Sequence, residues 1–207
     1  MANRNSTSGR YDAKLLGGKG KFFIIGLRRS GTSIFRTLVS KSPAISTILF
    51  EPHELFYAAQ LLKISRYKSS KYHIKAVASF NSLPKWSGAK FALNPGIDAL
   101  EWVWFHKIFP HARFLFIKRN CDSNWKSYQK ADGKTLRGII PQEIYTPFHA
   151  FMNSSFSSFH KANPTISTII NYDKMLSNAD KEMQKVWDIL KVKSPGSLKS
   201  MIKQPRN

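Results

Sequence analysis

At 207 residues, 42% of them hydrophobic, the chain can bury one sizeable core and is short for two, and no apolar run approaches the roughly 18 to 20 residues of a membrane-crossing helix. Its 33 Lys and Arg against 12 Asp and Glu give a formal charge of +21, which repels the folded state unless something anionic offsets it, so a polyanionic ligand is expected. One cysteine, Cys121, excludes an internal disulfide, no Cys/His spacing resembles a zinc site, and a reducing cytoplasm is the compartment these features fit.

Residues 1–20 are basic and rich in Gly and Ser, without the apolar stretch of a signal peptide, and read as a flexible lead-in to one domain over 21–193. The domain opens on an apolar run at 21–26 that ends in glycine, then a polar turn, then Ile34, Phe35, Leu38 and Val39 at helical spacing. This is strand, loop, helix. A second strand is expected at 45–50, and a helix at 54–67 with Leu55, Ala58, Ala59 and Leu62 on one face. Weaker strand signals lie at 72–80 and 90–93. Asp98 is placed to cap a helix in which Trp102, Phe105 and Phe109 share a face, limited by Pro110. Residues 112–118 form the clearest buried strand, followed by helices at 122–130 and 148–160 and a β-branched strand at 165–171. A helix at 175–190 has Met175, Met183, Val186, Trp187 and Leu190 as its apolar face, and Pro195 and Gly196 belong to a basic tail over 194–207. Strands alternating with helices imply a three-layer α/β/α domain with a central parallel sheet, in which ligands bind beyond the carboxyl ends of the strands.

Residues 26–33 read Gly-Leu-Arg-Arg-Ser-Gly-Thr-Ser where a strand hands over to a helix, so successive backbone N–H groups and the helix dipole can converge on one anion. Both glycines and Ser33 match the Walker A pattern G-x-x-x-x-G-K-[ST], which makes the expected fold P-loop NTPase-like. Thr32, however, stands in the lysine's place, and the cations Arg28 and Arg29 lie before the second glycine. The R-S-G-T-S run after an apolar strand resembles the 5′-phosphosulfate loop of sulfotransferases that use 3′-phosphoadenosine-5′-phosphosulfate (PAPS). The resemblance implies that Arg29 contacts the transferring sulfuryl group, with Arg28 beside it, and that Ser30, Gly31, Thr32 and Ser33 hold the 5′-phosphate through amides and hydroxyls.

The strand at 113–118 leads into Arg119-Asn120, and Ser127 follows Arg119 by eight residues, on the second turn of the next helix. This resembles the family's 3′-phosphate site, a strand ending in R-[ND] with a serine eight residues after the arginine, and implies that Arg119 and Ser127 bind the 3′-phosphate. Cys121 stands where the family often has proline. Asn171-Tyr172-Asp173 resembles the family's late strand ending in Y-E-D-L, which implies that Tyr172 lines the nucleotide pocket, although Lys174 and Met175 depart from the last two positions.

Phe50-Glu51-Pro52 resembles the F-E-P segment of carbohydrate and bacterial sulfotransferases and makes Glu51 the candidate general base. His53 is the second candidate, because an imidazole titrates nearer neutrality than a carboxylate. The other reading of Glu51 is as the ion-pair partner of a neighbouring arginine. Many relatives carry a lysine just before the proline of a K-x-P segment, where this chain has Leu93-Asn94-Pro95, and Lys90 is the substitute at hand.

The resemblance implies in-line transfer of a sulfuryl group from PAPS to an acceptor hydroxyl or amine, releasing adenosine 3′,5′-bisphosphate and requiring no metal. The basic composition suits an anionic acceptor, a small molecule, glycan or lipid. Two other readings stay open. A P-loop nucleotide kinase predicts dependence on magnesium and ATP, and the missing Walker lysine speaks against it. A noncatalytic nucleic-acid or polyanion-binding module predicts steep salt dependence without turnover, but no zinc finger, RNP-type motif or basic zipper accompanies the lysines.

Overall fold

The computed structural model describes residues 17–55, 71–94, 102–132 and 140–202. Strand β1 (Lys21–Leu27) is buried at every position, as a strand with neighbours on both edges and helices on both faces must be. It is the middle of a five-stranded parallel sheet in the order β2 (Thr47–Phe50), β3 (Ser87–Leu93), β1, β4 (Arg113–Lys118), β5 (Ser167–Asn171). The registers Phe50↔Lys90, Leu27↔Leu93, Gly26↔Ile117 and Lys118↔Asn171 bring the carboxyl ends of all five strands to one rim.

Alternation along β1 divides the interior in two. Phe23 and Ile25 face a layer formed by α2 (Lys71–Ser82), α3 (Trp102–Ile108) and α5 (Gln142–Ala162), which supply Val77, Phe80, Phe105, Ile108, Met152 and Phe156. Phe22 and Ile24 face α1 (Thr32–Val39), α6 (Tyr172–Ser177) and α7 (Ala179–Leu190), which supply Phe35, Leu38, Met175, Met183, Val186 and Trp187. Helix α4 (Cys121–Asp132) follows β4 and packs beside α5. Phe23 is the hub of the aromatic layer, stacked 4.9 Å from Phe105 and 5.5 Å from Phe80. Each such ring removes enough apolar surface from water to stabilise the fold by about 1.5–3 kcal/mol.

Several expectations change in detail. Residues 72–80 are helical, not a strand: the even-numbered apolar residues mimic alternation, while Val77 and Phe80 at helical spacing both reach the core. β3 begins three residues before the expected 90, and Gly88 within that extension pairs with Phe22 of β1, whose ring lies against it. A Cβ on Gly88 would come within 2.4 Å of the Phe22 ring. The helix expected at 148–160 runs over 21 residues and carries Pro147 inside its amino-terminal part. The helix expected at 175–190 is two helices, divided at Asn178, whose side chain accepts from the Lys181 amide and caps α7. Residues 53–55 are helical, and the remainder of the helix expected at 54–67, like Asp98, lies outside the described residues. From the expected tail, Leu198 is buried against the α1/α7 layer, and its amide donates to Asp180 at 2.6 Å. Among the described residues no helix is long and apolar enough to cross a membrane.

Candidate active site

The rim formed by the strand ends holds a cleft of about 520 Å³. Its first wall is the turn after β1. The Arg28 amide donates to the Leu93 carbonyl at 2.9 Å, tying the turn to β3, and the Ser30 amide closes it on the Leu27 carbonyl at 3.0 Å. Arg29 sits between them in the left-handed region, at φ 66°, a conformation that costs a non-glycine residue energy and recurs at functional sites. Gly31, at φ 90°, precedes α1. The first turn of an α-helix has amides without intrahelical acceptors, and here no side chain caps them and no acidic residue neutralises the dipole. That leaves a positive end aimed at the rim.

The second wall comes from β4 and α4. Arg119 follows β4, and its Nη1 donates to the Arg29 carbonyl at 2.9 Å. Its guanidinium lies 4.6 Å over the ring of Tyr172, which opens α6 directly after β5. The same ring covers Gly31 so closely that a Cβ there would stand 2.2 Å from it. Arg29 Nε donates to Ser127 Oγ on α4 at 3.4 Å. Among the described residues, the buried Arg119 Nε has no hydrogen-bond partner, a donor without its acceptor.

The third wall is the end of β2. Glu51 is also left-handed, at φ 44°, and its amide donates to the Lys90 carbonyl at 2.9 Å. Its carboxylate takes a 2.6 Å hydrogen bond from Lys90 Nζ. Lys90 is 2% exposed and reaches the cleft from the interior of β3, with its ammonium 4.1 Å over the Phe50 ring. The ion-pair partner of Glu51 is therefore a lysine rather than the arginine expected as one alternative. Its geometry follows from the β2–β3 register, which sets Phe50 against Lys90.

Of the residues singled out in the sequence, Arg28, Arg29, Gly31, Thr32, Ser33, Glu51, Arg119, Ser127 and Tyr172 line this one cleft. Ser30 and His53 do not. The Ser30 side chain is 1% exposed and accepts from Asn124 in the interior, and its amide is taken by Leu27, so neither group faces the cleft. His53 is exposed and stands outside the lining. Among the described residues lining the cleft, Arg28, Arg29, Lys90 and Arg119 are cationic and Glu51 alone is a carboxylate. The cleft is therefore built for anions.

Behind the cleft lies a layer that motif matching does not reach. Asn124 on α4 and Tyr145 and His149 on α5 are buried. Asn153 Nδ2 donates to His149 Nδ1 at 3.1 Å, which leaves His149 Nε2–H to donate to the Arg119 carbonyl at 3.1 Å. Burial lowers the His149 pKa, with the hydrogen bond to Arg119 opposing and Lys118 assisting the shift. The available signals were spacings: Asn124 precedes Ser127 by one helical turn, and Tyr145 and His149 are four apart.

No family model and no curated protein matches the sequence. Solved structures do match the fold. The sulfotransferase domain from the Synechococcus PCC 7002 olefin synthase superposes at TM-score 0.61, with 14% identity, over 91% of this chain and 82% of its own. The sulfotransferase from Alicyclobacillus acidocaldarius gives 0.56 at 11% identity, over 89% of this chain and 86% of its own. Mouse sulfotransferase SULT7A1, solved complexed with PAP, gives 0.58 at 14% identity, over 92% of this chain and 66% of its own. The parallel five-stranded sheet, the helix layers on both faces and these superpositions together give the chain a sulfotransferase-type fold, a three-layer, P-loop-like α/β/α domain.

Proposed function

We propose that the chain transfers a sulfuryl group from PAPS to an acceptor hydroxyl or amine. The observation that carries this reading is the meeting of Arg29, Arg119, Ser127 and Tyr172, drawn from three strand ends and α4, on one cleft beside the uncapped start of α1. A kinase-like P-loop gives no reason for the Arg119 arrangement. The orphaned, buried Nε of Arg119 fits a phosphate, which would supply the missing acceptor, and the Ser127 hydroxyl stands on the same wall.

In this reading the α1 amides, with Thr32, Ser33 and Arg28, bind the 5′-phosphate. Arg119 and Ser127 bind the 3′-phosphate, and the Tyr172 ring flanks the nucleotide. When bound, PAPS supplies an activated sulfuryl group on a phosphate leaving group. Arg29, fixed in its left-handed turn, holds its cation where negative charge grows on the transferring and leaving oxygens, the form of stabilisation that carries most weight in group transfer. Glu51 accepts the acceptor's proton. Lys90 donates to Oε1 and holds the carboxylate in place. The excess of cations suits an anionic acceptor.

Incubating the protein with labelled PAPS and a panel of glycans, phenols, peptides and lipids tests this directly. Label transferred to any class, and abolished in Arg29→Ala, is expected. Hydrolysis of ATP in magnesium with no transfer from PAPS would replace this reading with the kinase one.

A further inference from the structure

The phosphate loop is held from behind by a chain of buried polar groups. Tyr145 on α5 donates its phenol hydrogen to Oδ1 of Asn124 on α4, and Asn124 Nδ2 donates to Oγ of Ser30. Tyr145, Asn124 and Ser30 are 1%, 0% and 1% exposed, so water cannot replace a lost partner. A buried network of this kind is stabilising only when every member is satisfied.

Its polarity is fixed. Burial pushes the Tyr145 pKa up, so the phenol stays a donor. It takes the carbonyl end of the Asn124 amide, the amino end must then face Ser30, and Ser30 is committed as acceptor there. The Ser30 amide in turn closes the turn that keeps Arg29 left-handed. Helix α4 grips the loop a second time through Ser127, one helical turn beyond Asn124. Helix α5 repeats the pattern on the other wall, where His149, one turn beyond Tyr145, donates to the Arg119 carbonyl.

Resting on the sulfotransferase reading of the cleft, we propose that Asn124 and Tyr145 are positioning residues that act through Ser30 to hold the Arg29 turn in its anion-binding geometry. Helix α5 thereby supports both anion sites at once, the loop through Tyr145 and Arg119 through His149. Neither Asn124 nor Tyr145 lines the cleft, so their effect on a ligand is exerted through the residues they hold.

The test uses the whole chain as wild type, Tyr145→Phe, Asn124→Asp, Ser30→Ala and the double variant Tyr145→Phe/Ser30→Ala. Two quantities are measured: amide hydrogen exchange at residues 29–32 without ligand, and the affinity for adenosine 3′,5′-bisphosphate without magnesium. Tyr145→Phe should speed exchange in the loop and weaken the nucleotide by about tenfold each, the scale of one hydrogen bond, with β1 and β4 protected as before. Asn124→Asp is nearly isosteric but replaces the donor by a carboxylate, and should weaken the nucleotide further. Tyr145→Phe should add nothing in the Ser30→Ala background. Unchanged loop exchange in Tyr145→Phe, additive losses in the double variant, or equal loss of protection across the whole sheet would each overturn the proposal. If the wild type fails to bind the bisphosphate, the donor reading falls on its own, and the exchange data still decide whether this chain of hydrogen bonds positions the loop.

Discussion

The two halves of the cleft are built differently. The half proposed to face the donor stands on β1, β4 and β5, strands backed by both cores, and its loop, Arg119 and Ser127 are locked to one another and to buried residues of α4 and α5. The half proposed to face the acceptor stands on β2, a strand of four residues none of which is fully buried and whose Phe50 is 58% exposed, and the buried Lys90 of β3 holds its Glu51. Rigid backing fixes charges in place before a ligand arrives, so binding loses little to reorganisation. An edge strand with few packed neighbours leaves its side chains freer to vary. Under the proposed function, donor binding falls to the ends of β1, β4 and β5 and acceptor choice to the end of β2.

The two largest effects are expected on transfer itself, and the first lies on the rigid half. Arg29→Ala should lower sulfuryl transfer by at least about 10²- to 10³-fold, the scale of removing one donor to developing charge. Thermal stability should barely change, because Arg29 is exposed and its side-chain bond to Ser127 is long, at 3.4 Å. Turnover and melting temperature of the purified variant check both halves of this statement, and wild-type turnover would remove Arg29 from the chemistry.

On the edge, rate and stability should come apart. Glu51→Gln should slow transfer by about 10²- to 10⁴-fold as a lost general base. It should also destabilise the fold by about 2 kcal/mol, because Lys90, 2% exposed, keeps a charge without its partner while the partial exposure of Glu51 moderates the loss. Glu51→Gln combined with Lys90→Met should recover the stability but not the rate. His53→Ala, at an exposed position away from the cleft, should leave both near wild type. If His53→Ala is the crippling change, the base has been assigned to the wrong residue.

Legibility in the sequence follows the same division. Strands β1 and β4 announce themselves as apolar runs because burial on both faces removes alternation, and the loop after β1 carries its arginines and glycines in a local pattern. Arg119 and Ser127 are also local to each other, eight residues apart. What could not be read depends on contacts far apart in the chain. Asn124 meets Ser30 across 94 positions, and Lys90 meets Glu51 across 39 through a strand register that only the folded sheet defines. Residues 72–80 read as a strand because their even-numbered apolar side chains imitate one, a conflict that tertiary packing settles in favour of the helix. The motif treats every loop residue alike and points the Ser30 hydroxyl at the ligand, whereas the fold turns it inward to Asn124.

The smallest expected effect concerns the layer behind the rigid half. Burial lowers the pKa of His149 and of His106 from 6.5, so both stay neutral in the folded protein at pH values where the unfolded chain takes up protons. The unfolded state then binds more protons, and stability rises with pH in that window. The stability is present above pH 6.5 and is lost as pH falls through the lowered folded values. Denaturant midpoints between about pH 7 and pH 5 should fall modestly, and His149→Gln should flatten part of the slope. A midpoint that rises on acidification would contradict the buried, neutral imidazoles.

The central claim, that the rigid half holds a nucleotide carrying a 3′-phosphate, is tested most directly by calorimetric titration of adenosine 3′,5′-bisphosphate and of AMP, without magnesium, into wild type and Arg119→Ala. Charge-assisted hydrogen bonds from Arg119 and Ser127 at about 1.5–3 kcal/mol each should make the bisphosphate roughly a hundredfold tighter than AMP in the wild type. Arg119→Ala should erase most of that difference and leave AMP nearly unaffected, since AMP lacks the phosphate that Arg119 would bind. Equal weakening of both nucleotides in Arg119→Ala, or tighter binding of ATP with magnesium than of the bisphosphate, would contradict the account.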